Sequence, residues 1–193
     1  MRGSLGASQS GAVTVEGTVL RNVCFSLVFS LCACGGPSYR SELQADAVVP
    51  GSASGGLLPM CPPFGGFLRL DFDNNAQLRG AGRKKSEVRH AFVESASLKI
   101  VSPAEQDFGF IDKVQLVASA ANAQVTLARK DQVADAALAA PYPTLTLPLE
   151  PQIDLGAMVA APQLDMVVRC EGRVPPADTR LEAKVVLRLE LEP

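Results

Sequence analysis

Side chains able to do chemistry are few and scattered along this chain. Asp71, Asp73 and Asn75 alternate as D-x-D-x-N, the opening of an oxygen-ligand loop for a hard cation such as Ca²⁺. A loop of that kind goes on to need Gly at its sixth position and a bidentate Glu at its twelfth. Ala76 and Gly82 stand there instead, so the EF-hand reading fails, and a strand end followed by a polar turn is the plainer one. A looser Ca²⁺ site built from the same oxygens is the alternative. Gly80 and Gly82 precede Lys84 and Lys85 without the spacing of a P-loop. His90 is the sole histidine, and no spacing supplies it with the two partners of a Ser–His–Asp triad. Gly51-Ser-Ala-Ser-Gly55 carries Ala53 where a nucleophile elbow needs Ser. Glu94, Glu105 and Asp107 cannot be paired from sequence. No catalytic residue, metal ligand or cofactor is expected.

One charged feature stands out. Arg79, Arg83, Lys84, Lys85 and Arg89 fall within eleven positions. Near an anionic lipid surface each such cation contributes about 1 kcal/mol, so this segment is a candidate contact for anionic headgroups or an acidic partner. A solvated loop is the competing reading. The whole chain carries a formal net charge of −2, which does not point to a nucleic-acid partner. With 47% hydrophobic and 20% charged residues the composition is globular. A single His and the lack of Trp exclude a polyhistidine metal site and disfavour an aromatic sugar-stacking platform.

The elements that must position these groups begin with an uncharged run, Val23 to Ala33. A bilayer-spanning helix needs about 20 apolar residues; this run is shorter and matches the core of a secretory signal, with Arg21 as its positive flank. It ends Leu31-Cys32-Ala33-Cys34, which resembles the lipobox of bacterial lipoproteins. That resemblance implies cleavage after Ala33 and a diacylglycerol thioether on Cys34, so residues 1–33 are read as a lipoprotein signal peptide. Cys32 is a poorer acceptor because bulky Leu31 precedes it. Either the leader is long, or translation starts downstream near Val19. Gly35 at the second position, by resemblance to lipoprotein sorting, implies the outer membrane, facing the periplasm. Processing would remove Cys24 and Cys32 and lipid would occupy Cys34, leaving Cys61 and Cys170. An even remainder in an oxidising compartment predicts a disulfide between them; two free thiols are the alternative.

Half of residues 35–66 are Gly, Pro or Ser, so residues 34–63 are read as a flexible tether between lipid and domain, with Met60, Cys61 and Phe64 docking at its far end. Beyond it the hydrophobic period becomes two. Strands are predicted at Phe67–Phe72, Ala96–Ile100, Val114–Ala118, Val125–Arg129, Thr144–Leu149 and Leu164–Cys170, with Pro148 arguing for an edge position. The clearest is the last, where Leu181, Ala183, Val185, Leu187, Leu189 and Leu191 alternate with Glu182, Lys184, Arg188 and Glu190. Short helices are predicted over Asp131–Ala140 and Asp154–Ala160. Phe108 and Phe110 read either as a core plug or as an exposed anchor. About seven strands place an all-β, antiparallel two-sheet sandwich with one or two short helices in residues 64–193.

Ala96-Ser-Leu-Lys-Ile-Val-Ser-Pro103 followed by Asp107-Phe-Gly-Phe-Ile-Asp112 resembles a group of uncharacterised bacterial lipoproteins, with Ile111 where Leu is usual. The resemblance implies an Ig-like sandwich and no known activity. The expectation is a non-catalytic, lipid-anchored envelope protein, attached to the membrane through its N-terminal lipid and able to meet an envelope protein partner. A carrier of an apolar ligand between the two sheets is the alternative; an envelope hydrolase comes third.

Overall fold

The fold is organised by the alternating C-terminal segment. In the computed structural model, which describes residues 37–192 except 59, 122, 137 and 139, strand β8 spans Thr179–Leu191. Its six alternate apolar residues from Leu181 to Leu191 are each at most 3% exposed. Period-two patterning puts them all on one face, and β8 occupies an interior position where both backbone edges are paired. On one side lies β1 (Ser38–Val49), on the other β3 (Val88–Ser102), both antiparallel to it. A short strand, β6 (Thr144–Thr146), completes the sheet in the order β1-β8-β3-β6. The second sheet contains β2 (Leu57–Leu58), β7 (Asp165–Arg173), β4 (Ile111–Ala120) and β5 (Ala123–Asp131), in that order and also antiparallel. The chain is an all-β sandwich of two antiparallel four-stranded sheets, eight strands against the seven expected.

Leu164, Met166, Val168 and Cys170, on or just before β7, are buried together, as their alternation predicts. They meet the inward residues of β8 and β3 in one continuous hydrophobic cluster. Strand β3 keeps Val88, Ala91, Ala96, Leu98 and Ile100 buried despite their uneven spacing. Register shifts at Val88/His90 and Val93/Ser95 absorb the extra residues, since one bulge residue moves every later side chain to the opposite face. The strand predicted over Thr144–Leu149 is shorter, β6 ending at Thr146 on the edge of its sheet; Pro148 lies beyond it, where the chain crosses to the other sheet and Leu149 bridges Ala128 of β5.

The largest correction concerns the tether. Residues 38–49 form a strand paired with β8 through twelve consecutive positions, from Ser38 opposite Glu190 to Val49 opposite Thr179. Gly, Pro and Ser crowd the ends of the 34–63 segment, whereas within 39–49 only Ser41 belongs to that group. The inward side chains here are small (Ser41, Ala45, Ala47 and Val49, all buried), so a count of bulky hydrophobics passes over them. Gly51, Ser52 and Cys61 are held as well. Gly51 donates its N–H to Asp178 at 2.8 Å, and Ser52 donates to the Pro175 carbonyl at 2.8 Å. Cys61 is bonded to Cys170 with the Cα atoms 5.0 Å apart.

Two further expectations change. Phe67–Phe72 is not a strand: Gly65–Phe67 and Phe72–Asn74 are 3-10 turns, and only Leu70 makes a bridge, to Leu164. Arg69 at φ 54° breaks the extended chain, letting Phe67 and Phe72 both turn inward. The Asp131–Ala140 helix shrinks to one 3-10 turn, Val133–Ala136, because Asp131 stays in the β5 ladder and Gln132 adopts φ 54°. Near Asp154–Ala160 a short helix does form, α2 (Gly156–Ala160).

The disulfide closes 109 residues of chain, for which loop-closure entropy predicts about 4–5 kcal/mol. Reduction, or the double substitution Cys61→Ala/Cys170→Ala, is expected to lower the denaturant midpoint by the equivalent of most of that figure, read by urea titration under oxidising and reducing conditions. Gly172 sits where a Cβ would collide with the Phe110 carbonyl oxygen on β4's approach. Backbone cannot swing aside as a side chain does, so Gly172→Ala should cost about 1–3 kcal/mol in the same titration.

Candidate functional site

Beyond β2 the chain returns toward the start of β1, and the charged groups singled out in the sequence gather there. Asp71 accepts from the Asp73 N–H at 2.9 Å and from the Asn74 side-chain amide at 2.5 Å. Those two bonds, the side-chain one first, hold its carboxyl below the ordinary range. Asn75 caps the short helix α1 (Ala76–Gly80), accepting from the N–H groups of Gln77 and Leu78 at 3.1 Å each. Its amide donates at 2.6 Å to Ser41 Oγ, one of the few fully buried polar side chains. The Asp71 and Asn75 oxygens are thus engaged in turn and cap bonds and the Asp73 carboxylate in an ion pair with Lys85, and no cluster with metal-ligand geometry occurs among the described residues.

The five cations divide into two sets. Arg83 pairs with Glu87 at 2.8 Å, and that bond and charge raise its pKa. Lys85 pairs with Asp73 at 2.8 Å and reaches toward the Ala161 carbonyl at 3.4 Å. Arg79, Lys84 and Arg89 are exposed and make no ion pair among the described residues. All five lie from α1 to the first residues of β3. The Glu192 N–H donates to the Glu87 carbonyl at 3.0 Å, and Leu191 donates to the Pro37 carbonyl at 3.1 Å. Lys84 and Arg89, on either side of Glu87 in the sequence, therefore stand near Pro37, the first described residue.

His90 acquires a partner that no spacing could reveal, because Asp154 is 64 residues away. Its Nδ1 lies 2.6 Å from one Asp154 oxygen. The other oxygen accepts from the N–H of Ala91 at 3.0 Å and of Gly156 at 2.8 Å. Partial burial pushes the Asp154 carboxyl up, but the bonds from His90, Ala91 and Gly156 outweigh it and leave it lowered. Asp154 thereby joins the start of α2 to β3. Only the acid ahead of a predicted short helix hinted at it.

On the outer face of the β1-β8-β3 sheet a hollow of about 850 Å³ is lined by Arg40, Glu42, Phe92, Glu94 and Arg188, among others. The Arg188 guanidinium sits 5.3 Å from the Phe92 ring centre, where a cation is attracted to the ring's negative face. Arg40 binds Glu94 at 2.7 Å and Lys184 binds Glu42 at 2.7 Å. Phe108 and Phe110, by contrast, are buried and plug the core. The apolar run 23–33 and Cys34 lie outside the described residues.

No family model and no curated protein matches the sequence. Among solved structures the chain is similar to a decameric BFDV capsid protein, with a TM-score of 0.38 and 10% identity across 81% of this chain and 99% of that one. At that TM-score the likeness carries no argument.

Replacing Asp154 with Ala removes the acceptor of two backbone N–H groups, and the loss should be about 1–2 kcal/mol. The folded-state pKa is lowered, so the ionised carboxylate's contribution is full above the unfolded value near 3.8 and disappears as pH falls through the folded one. The stability gap between the native chain and Asp154→Ala, measured by urea titration across pH, should hold near neutrality and narrow below about pH 4.

Proposed function

We propose that this chain is a lipid-anchored cell-envelope protein whose β-sandwich is a non-catalytic binding or structural module. The observation that carries this reading is the buried Cys61–Cys170 bond. Bonds of this kind persist in oxidising compartments outside the cytoplasm, which agrees with an export signal at residues 23–33. Ala33-Cys34 at the end of that signal supports a thioether-linked lipid, and Gly35 supports the outer membrane as destination. The continuous packing between the sheets favours a module working through its surface over a carrier of apolar ligands. His90 and Asp154 act in this reading as a clasp between β3 and α2.

The test is expression of the full chain in a diderm bacterium, detergent phase partition, and mass spectrometry of the N-terminal peptide. The native chain should enter the detergent phase and begin at a lipid-bearing Cys34. Cys34→Ala should lose both the lipid mass and the detergent partition. An unmodified Cys34 still preceded by the leader would refute the reading.

A further inference from the structure

Cys34 stands only four residues before Ser38, and Ser38 is already in the ladder opposite Glu190. Fully extended chain spans at most 3.3–3.6 Å per residue, so the leash from the Cys34 Cα to β1 is at most about 14 Å. That is comparable to the electrostatic screening length at physiological salt, about 8–10 Å. A domain held on so short a leash cannot diffuse away from the surface that holds its lipid, nor can it present an arbitrary face to it.

The end facing that surface is defined by the strand termini. Strand β1 begins there, β8 ends there and β3 starts there, with Val88 opposite Leu191. Lys84 and Arg89 flank this junction on either side of Glu87, whose carbonyl binds the Glu192 N–H. Both are exposed and without an ion pair among the described residues, while Arg83 and Lys85 are already neutralised by Glu87 and Asp73. Glu190 and Glu192 lie at the same end, so charge attraction is local to the two cations and the short leash supplies most of the confinement.

Building on the lipid anchor proposed above, we infer that the sandwich stands end-on against the bilayer, with Lys84 and Arg89 meeting the phospholipid phosphates of the leaflet that holds the acyl chains. The loop of residues 50–56, past the other end of β1, points away into the aqueous space. The outer-face hollow lined by Arg40, Phe92 and Arg188 then opens sideways, close to the membrane and parallel to it.

The experiment uses the full, lipid-bearing chain in phosphatidylethanolamine vesicles containing phosphatidylglycerol and nitroxide-headgroup lipid. Fluorescent labels are placed on Ser86→Cys or on Ala53→Cys, both exposed positions. The two lie near opposite ends of β1, about 40 Å apart at 3.3–3.4 Å per residue, so quenching at residue 86 should exceed that at residue 53 by about threefold or more. A long Gly/Ser insert between Gly36 and Pro37 should abolish the difference. Lys84→Glu with Arg89→Glu, at unchanged folding by circular dichroism, should reduce quenching at residue 86 about twofold. Equal quenching at both positions in a lipid-bearing protein would sink the end-on arrangement alone, and an unchanged signal in the double charge reversal would remove Lys84 and Arg89 from the contact. Absence of lipid on Cys34, read by mass spectrometry of the same preparation, would instead remove the anchoring itself and this inference with it.

Discussion

The burial of one face of β8 is the constraint from which the rest of the structure follows. Four leucines, a valine and an alanine point the same way from a strand whose two edges are both hydrogen-bonded. Full burial of a Leu or Val side chain contributes about 1.5–3 kcal/mol before entropy is counted. The strand must therefore be covered by a second sheet across its apolar face and flanked by partners on both sides. Strand β3 is a natural flank, being long and apolar. Strand β1 is less obvious, because its inward residues are small; smallness suits a position where the turns at Gly65–Phe67 press close, with Gly66 lying against the Gln44 carbonyl and Ala45.

Sandwich edges are a liability unless covered. The segment following β2 covers the free edge of β1: Asn75 reaches Ser41, and the turn at Gly65–Phe67 leans on Gln44 and Ala45. The disulfide fixes the start of this covering segment to β7, so the same cross-link that supports an oxidising compartment also holds the edge protection in place. Stability and the covering of an edge meet in one covalent bond.

Once β1 is drawn into the sheet, only Gly35, Gly36 and Pro37 separate Cys34, the proposed lipid position, from the first strand. What the composition marks as a leash becomes structure, and the spacing between the proposed anchor and the domain falls from tens of residues to a few. The charged segment between α1 and β3 changes meaning in the same step. Taken alone it is a run of basic residues with an ordinary solvated explanation; beside Pro37 it becomes the end of the domain nearest the proposed lipid. Internal pairing with Glu87 and Asp73 removes two of its five cations from that role.

The sequence by itself determined the sandwich class, the inward faces of β7 and β8, the pairing of Cys61 with Cys170 as the favoured cysteine reading, and a short helix near Asp154. Each of these rests on local period or on counting, which a linear chain displays directly. Tertiary structure alone decided that residues 38–49 are a strand, since an edge strand with Ser and Ala on its inner face gains its stability from the neighbour it pairs with and not from its own hydrophobicity. It also decided that Asp154 clasps His90, and that Lys84 and Arg89, near Pro37, make no ion pair among the described residues. Those facts depend on residues 64 or more than 100 positions apart being brought into hydrogen-bond reach, a proximity that sequence spacing does not encode.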